Sequence, residues 1–283
     1  MTVRAPIILI GAQRSGTTWL GEVLSAHPTV AYWSEPRHVW TRGLSDRPDD
    51  SLSADDASPA VTRRIRRTFD QFVRLRGRER LAEKTPSNCL RVPFVHAVLP
   101  EARLLLILRD GRSVIESTER IMQTGIPLHR IVRRAVQTPL HEWPAQAGRA
   151  FSAIGRRISG KPLNYWGIRP PGWREWVGRD PLHVMLARQW VGAVSRAVDD
   201  ANALPAGKIL IFKYEDLVRN PEPHAHRIAD FCDLRDPQIF IETITRTIDD
   251  SRVDRWRESL DAAVLEDVRP IMAPLLTRLG YEW

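Results

Sequence analysis

A short apolar run, Ile7-Ile8-Leu9-Ile10, leads directly into Gly11-Ala12-Gln13-Arg14-Ser15-Gly16-Thr17-Thr18. Beyond it Trp19, Leu20, Val23 and Leu24 recur at helical spacing. The apolar run has the length of a buried parallel strand. A Gly-bounded loop between a strand and a helix start leaves backbone N–H groups unpaired and aimed at one point, and the helix dipole favours an anion there. This arrangement limits the chain to α/β folds in which a phosphate-like group is held at the end of the first strand.

The loop nearly matches the nucleotide-triphosphate pattern G-x-x-x-x-G-K-[ST], but Thr17 stands where that pattern needs Lys. That Lys reaches the β- and γ-phosphates, so its absence argues against ordinary ATP or GTP chemistry. A cation is still supplied, now by Arg14 ahead of the Ser-Gly pair.

Arg14-Ser15-Gly16-Thr17-Thr18-Trp19-Leu20 resembles the 5′-phosphosulfate-binding loop of sulfotransferases, which use 3′-phosphoadenosine 5′-phosphosulfate (PAPS). The form with Arg before Ser-Gly-Thr-Thr is similar to tyrosylprotein and many bacterial sulfotransferases. The resemblance implies that Arg14, Ser15, Gly16, Thr17, Thr18 and Trp19 hold the donor, with Thr17 and Thr18 orienting its 5′-phosphate.

Val30 to Trp33 reads as a second strand, ending at Ser34-Glu35-Pro36-Arg37. Ligand chemistry gathers at the carboxyl ends of strands in open α/β sheets, which is where Glu35 falls. By the resemblance Glu35 is the base that takes the proton of an acceptor hydroxyl, with Arg37 beside it; His38, close by in sequence, ranks second as a spare base. Asp46 to Pro59 is polar and aperiodic, the pattern of a mobile loop. Val61, Ile65, Phe69, Phe72 and Val73 follow at helical spacing, interleaved with Arg63, Arg64, Arg66 and Arg67 as a solvated face.

A short strand from Leu81 ends in Lys84-Thr85-Pro86, similar to a Glu-Lys-Thr-Pro segment of the family. The resemblance places Lys84 on the transferring sulfonate or the bridging oxygen. Ala102 to Leu108 is the most apolar run of the chain and reads as a central strand. Arg109-Asp110-Gly111-Arg112 follows it, then a helix carrying Ser117. This resembles the family's 3′-phosphate site, and Arg suits that task because its planar fork can donate two parallel bonds to phosphate.

The stretch at about 122–181 is rich in Trp and Arg and broken in pattern, which predicts short helices and loops. It is expected to form an acceptor pocket or lid, with Trp166, Arg169, Trp173 and Arg174 as acceptor-binding residues. Pro181 to Val198 reads as a helix and Lys208 to Phe212 as a strand running into Tyr214-Glu215-Asp216-Leu217. The resemblance makes Tyr214 a nucleotide contact and Arg255 a cation at the phosphate end.

The net charge of +8 calls for an anionic partner, which a sulfated bisphosphate nucleotide satisfies. No zinc spacing, helix-turn-helix or aromatic RNA pattern points to nucleic acid. The histidines form no metal site, and the transfer scheme needs no metal because the protein supplies the cations. Two cysteines, no signal peptide and no membrane-length apolar run predict a cytoplasmic protein. The oligomeric state is not legible, and a homodimer is compatible with the chain.

The sequence thus predicts one α/β domain over 1–283, a three-layer P-loop-like fold with a mainly parallel central sheet flanked by helices. The expected activity is sulfonate transfer from PAPS to an acceptor hydroxyl, releasing 3′-phosphoadenosine 5′-phosphate (PAP). The acceptor class stays open among lipid, sugar, secondary metabolite and peptide tyrosine. The alternatives are an ATP-dependent P-loop phosphotransferase and a non-catalytic nucleotide- or polyanion-binding protein.

Overall fold

The computed structural model describes residues 4–44, 47–124 and 167–283. Five strands form one parallel sheet in the order β2-β3-β1-β4-β5. They are β1 (Arg4–Ile10), β2 (Val30–Ser34), β3 (Arg80–Lys84), β4 (Arg103–Leu108) and β5 (Ile209–Lys213). Each strand expected from the sequence is present, displaced by no more than a few residues at its ends.

Side chains alternate across the sheet, as the two-residue period of a strand requires. Ile8, Ile10, Leu81, Leu104 and Leu106 enter one core, and Ile7, Leu9, Ala82, Leu105 and Ile107 enter the other. The first core is covered by α3 (Pro59–Leu75), α4 (Val92–Val98), α7 (Leu182–Asn202) and α12 (Ala262–Arg278). The second is covered by α1 (Thr17–Ser25), α8 (Tyr214–Arg219), α9 (Pro221–Phe231) and α10 (Gln238–Thr247). Helices on both faces make three layers, and the central runs Ile7–Ile10 of β1 and Leu104–Leu108 of β4 are continuously apolar because neither face meets water there.

β1 lies between β3 and β4, so the chain crosses from one half of the sheet to the other beside it. This is the switch point at which open α/β sheets leave a crevice beyond the strand ends. The loop from Gly11 to Gly16 opens into that crevice.

Two expectations need correction. The stretch from Asp46 to Pro59, expected as a mobile loop, is tied down where it is described. Ser53 and Asp56 close a capping box around a 3₁₀ turn at Ala54–Asp56, and Asp50 is bound by several donors described below. The arginines of α3 are not uniformly solvated. Arg63 and Arg67 are exposed, but Arg66 donates to the Glu101 carboxylate at 2.6 and 3.0 Å and Arg64 donates to the Arg42 carbonyl.

Of the stretch at about 122–181, the described residues are 122–124 and 167–181. α5 (Gly111–Thr124) claims its first residues, and α6 (Trp173–Trp176) lies near its end. Trp166 lies outside the described residues. Among the described residues no helix is long and apolar enough to cross a membrane.

Candidate active site

All five strands deliver a candidate residue at their carboxyl ends: Glu35 after β2, Lys84 at the end of β3, the Gly11–Gly16 loop after β1, Arg109 after β4 and Tyr214 after β5. Four strand spacings of about 4.8 Å make this row about 19 Å long. A nucleotide and an acceptor can lie side by side along it.

The loop is shaped by two residues with left-handed backbone, Arg14 at φ 68° and Gly16 at φ 88°. Ser15 turns inward, its hydroxyl donating to the Ala12 carbonyl at 2.6 Å. Gly16 is the N-cap of α1 and brings no capping side chain, so the first N–H groups of the helix are left for a ligand. The Tyr214 ring closes on Gly16 so tightly that a Cβ there would sit 2.6 Å from it. Thr17 is buried and Thr18 exposed. Trp19 meets Tyr214 edge to face, and its indole N–H donates to Thr247 at 3.0 Å.

Gln13 braces the loop from behind. It donates to Gln189 on α7, Gln189 donates to the Ile168 carbonyl at 2.7 Å, and the Ile168 N–H donates to Gln13 at 3.3 Å. This closed ring of amides links the Gly11–Gly16 loop to α7 and to the segment at Ile168.

Arg109 is buried across the face of Tyr214, its guanidinium carbon 4.7 Å from the ring centroid. Its two amino groups donate to the Arg14 carbonyl at 2.6 Å and the Arg252 carbonyl at 2.9 Å. Its buried Nε has no hydrogen-bond partner among the described residues. Burial pulls the Arg109 guanidinium below its ordinary pKa, with nearby acidic groups and Tyr214 pulling the other way. Arg14 Nε donates to the buried hydroxyl of Ser117 at 3.0 Å. An orphaned guanidinium N–H, a hydroxyl and an uncapped helix start together suit an anion that carries more than one phosphate-like group.

Arg112, the second Arg of that segment, faces away from the loop. It chelates Asp110, donates to the Glu282 carbonyl at 2.6 Å, and stacks on Trp256 at 3.9 Å. Asp110 N–H in turn donates to Glu215, whose other oxygen accepts from Tyr281 at 2.9 Å. Burial raises the Glu215 carboxyl above the usual range. Arg255 is half-exposed, with Nε 3.9 Å from Glu116, the neighbour of Ser117 on α5.

At the other end of the row Lys84 Nζ lies 2.7 Å from Glu35 Oε1 and Arg37 3.5 Å from Oε2. Glu35 has φ 56° and donates its own N–H to the Lys84 carbonyl at 2.7 Å. Lys84 is nearly buried and Glu35 one-third exposed, so the carboxylate faces the crevice from a fixed cation. His38 packs edge-on against Trp33.

Asp50 forms the wall beyond. It accepts three bonds from Arg169, at 3.0, 3.0 and 2.6 Å, and one from Ser87 at 2.9 Å. Its carboxyl lies below the usual range: burial pushes it up, but Arg169, through charge and hydrogen bonds, and the Arg37 charge outweigh that. Trp173 donates to the Pro48 carbonyl at 2.8 Å and lies under the guanidinium of Arg169. Arg174 is exposed beside the same ring. Among the described residues no group of three or more His, Cys, Asp or Glu is placed to hold a metal.

Sequence reasoning assigned no role to Asp50, Glu83, Gln189 or Glu215. Gln189 carries a readable signal, a polar residue inside the apolar stripe Met185, Leu186, Trp190 and Ala193 of α7. Asp50 carries none, because its partners lie far away in the chain.

The profile of the sulfotransferase family matches residues 6–164 and 156–238. Protein-tyrosine sulfotransferase A of Caenorhabditis elegans is 25% identical, over 98% of this chain and 68% of its own length. Nodulation protein NoeE of Sinorhizobium fredii is 22% identical, over 97% of this chain and 65% of its own length. The solved sulfotransferase domain from the curacin biosynthetic pathway superposes with a TM-score of 0.56 at 15% identity, covering 100% of this chain and 99% of that one. That last likeness is one of fold.

Proposed function

The chain belongs to the sulfotransferase family, and from that premise we propose that it moves the sulfonate group of PAPS to an acceptor hydroxyl. The observation that carries the reading is the row of strand ends, with an anion cradle at β1 and β4 and a carboxylate–ammonium pair at β2 and β3.

The donor half is Arg14, Ser15, Gly16, Thr17, Thr18 and Trp19 with Arg109, Ser117, Tyr214 and Arg255. Arg109 Nε and the Ser117 hydroxyl are the groups for a 3′-phosphate, and the uncapped N–H groups of α1 are those for the 5′ end. The adenine and ribose need no charge, which suits the Trp19–Tyr214 side of the crevice. When bound, PAPS supplies an activated sulfonate on a phosphate leaving group.

Glu35 accepts the acceptor's hydroxyl proton as that oxygen forms its bond to sulfur. Lys84, Arg14 and the loop N–H groups stabilise the charge left on the departing phosphate oxygen. Arg37 steadies Glu35 from its outer side. Trp173 and Arg174 bound the acceptor, and Arg169 serves by fixing that wall through Asp50; Trp166, outside the described residues, is assigned to the acceptor from the sequence alone. The stretch at about 122–181 is the acceptor pocket or lid of a single domain in this reading. The setting we propose is cytoplasmic, supported by free buried thiols at Cys89 and Cys232, which burial pushes up to about 12.

Calorimetric titration with PAP, with ATP plus magnesium and with AMP tests the reading. Binding of PAP alone, lost in Arg109→Ala, is the expected result. Preference for ATP and magnesium overturns it in favour of phosphoryl transfer.

A further inference from the structure

Glu83 is fully buried one residue before Lys84. β3 alternates, so Lys84 stands opposite Leu9 while Glu83 stands opposite Ile8, whose side chain enters the other core. Glu83 therefore points away from the crevice and cannot touch the reactants.

Its carboxyl accepts from the Thr85 hydroxyl, on the far side of Lys84, and from Asn88 Nδ2 at 3.0 Å. Asn88 in turn accepts from Arg91 Nε at 2.8 Å. Thr85, Asn88 and Arg91 are all buried. The bonds from Thr85 and Asn88 bind the residue after Lys84, and the 3₁₀ turn Pro86–Leu90 beyond it, to the residue before it. That turn also carries Ser87, the donor to Asp50. A buried acid is costly, and burial pushes Glu83 up to about 7 against the pull of the Thr85 hydrogen bond and of the Arg91 and Lys84 charges.

We propose that Glu83 is a positioning residue for Lys84: it locks the backbone on both sides of the lysine and so aims the ammonium at Glu35 and at the leaving oxygen. The proposal rests on the transfer reading above for what Lys84 does, but not for where Lys84 is held.

Two measurements test it on the full chain. The first is a double-mutant cycle for PAP affinity with Glu83→Gln and Lys84→Ala. The amide cannot receive both donors without turning its own NH₂ toward one of them. Glu83→Gln is expected to weaken PAP about tenfold when Lys84 is present and less than twofold in the Lys84→Ala background. Equal losses in both backgrounds, or none in either, overturn the proposal.

The second needs no nucleotide. The chain has four lysines, Lys84, Lys161, Lys208 and Lys213. Acetylation followed by mass spectrometry reads their relative rates. Glu83→Gln is expected to speed labelling of Lys84 at least threefold against Lys208 and Lys213. An unchanged ratio overturns the proposal. If the parent protein fails to bind PAP, the transfer reading falls and the labelling ratio still decides whether Glu83 holds Lys84.

Discussion

Lys84 and Glu35 are joined twice, through their side chains at 2.7 Å and through the Glu35 N–H and the Lys84 carbonyl, also at 2.7 Å. The backbone bond carries the β2–β3 ladder one residue past its last strand position. The side-chain pair is therefore set by sheet register and not by two flexible arms finding each other. Its charges are preorganised before an acceptor arrives.

That fixed geometry makes Glu35→Gln a clean probe. The amide keeps the shape and cannot accept a proton. Turnover of PAPS with p-nitrophenol as probe acceptor is expected to fall by about 10² to 10⁴. PAP affinity by calorimetry is expected to stay within about twofold, since no donor contact in this reading involves Glu35.

Gly16→Ala strikes the loop instead. The residue is held at φ 88°, a conformation that costs an alanine about 1 to 2 kcal/mol, and its Cβ would meet the Tyr214 ring at 2.6 Å. Displacing Tyr214 also removes the surface on which Arg109 lies. Both a lower Tm and weaker PAP binding are expected, read by thermal unfolding and calorimetry.

The buried acid gives a pH prediction. Glu83 titrates at about 7 in the fold against an ordinary value of 4.5. Between those values the folded chain holds a proton that the unfolded chain has lost, so stability falls as pH rises through this window and levels off above it. The loss is about 3 kcal/mol, and Glu215, also raised, contributes in the same sense. Urea unfolding at pH 5 and pH 8 should show a slope in the parent that is markedly smaller in Glu83→Gln. Asp50, which is lowered, acts only at more acidic pH and does not enter the comparison.

Asp50→Asn tests the wall. It removes the charge that receives Arg169 and leaves a guanidinium only about one-quarter exposed without its carboxylate. A destabilisation of about 2 kcal/mol is expected from urea unfolding, with PAP affinity unchanged.

The residues proposed to hold the donor were brought together from segments already legible in the sequence, because each segment is local. Arg14 to Thr18 is a strand-to-helix turn, and Arg109 with Ser117 is another, so the placement of these groups follows from a few adjacent residues. Glu35 and Lys84 were each legible at a strand end, but their pairing depended on β2 lying beside β3, which spacing alone does not state. Asp50 read as part of a polar loop because its partners, Ser87 and Arg169, are 37 and 119 residues away. Arg112 stands in the same segment as Arg109, and its task depends on the return of the C-terminal segment, where it meets Trp256 and the Glu282 carbonyl.

The amide ring of Gln13, Gln189 and Ile168 holds no net charge. Added salt would screen the pull of Arg14 and Arg109 on the proposed donor, yet it has little to screen in the brace behind them. The cradle thus keeps its form while its grip is tuned by the medium, a division of labour between neutral scaffolding and charged fingers.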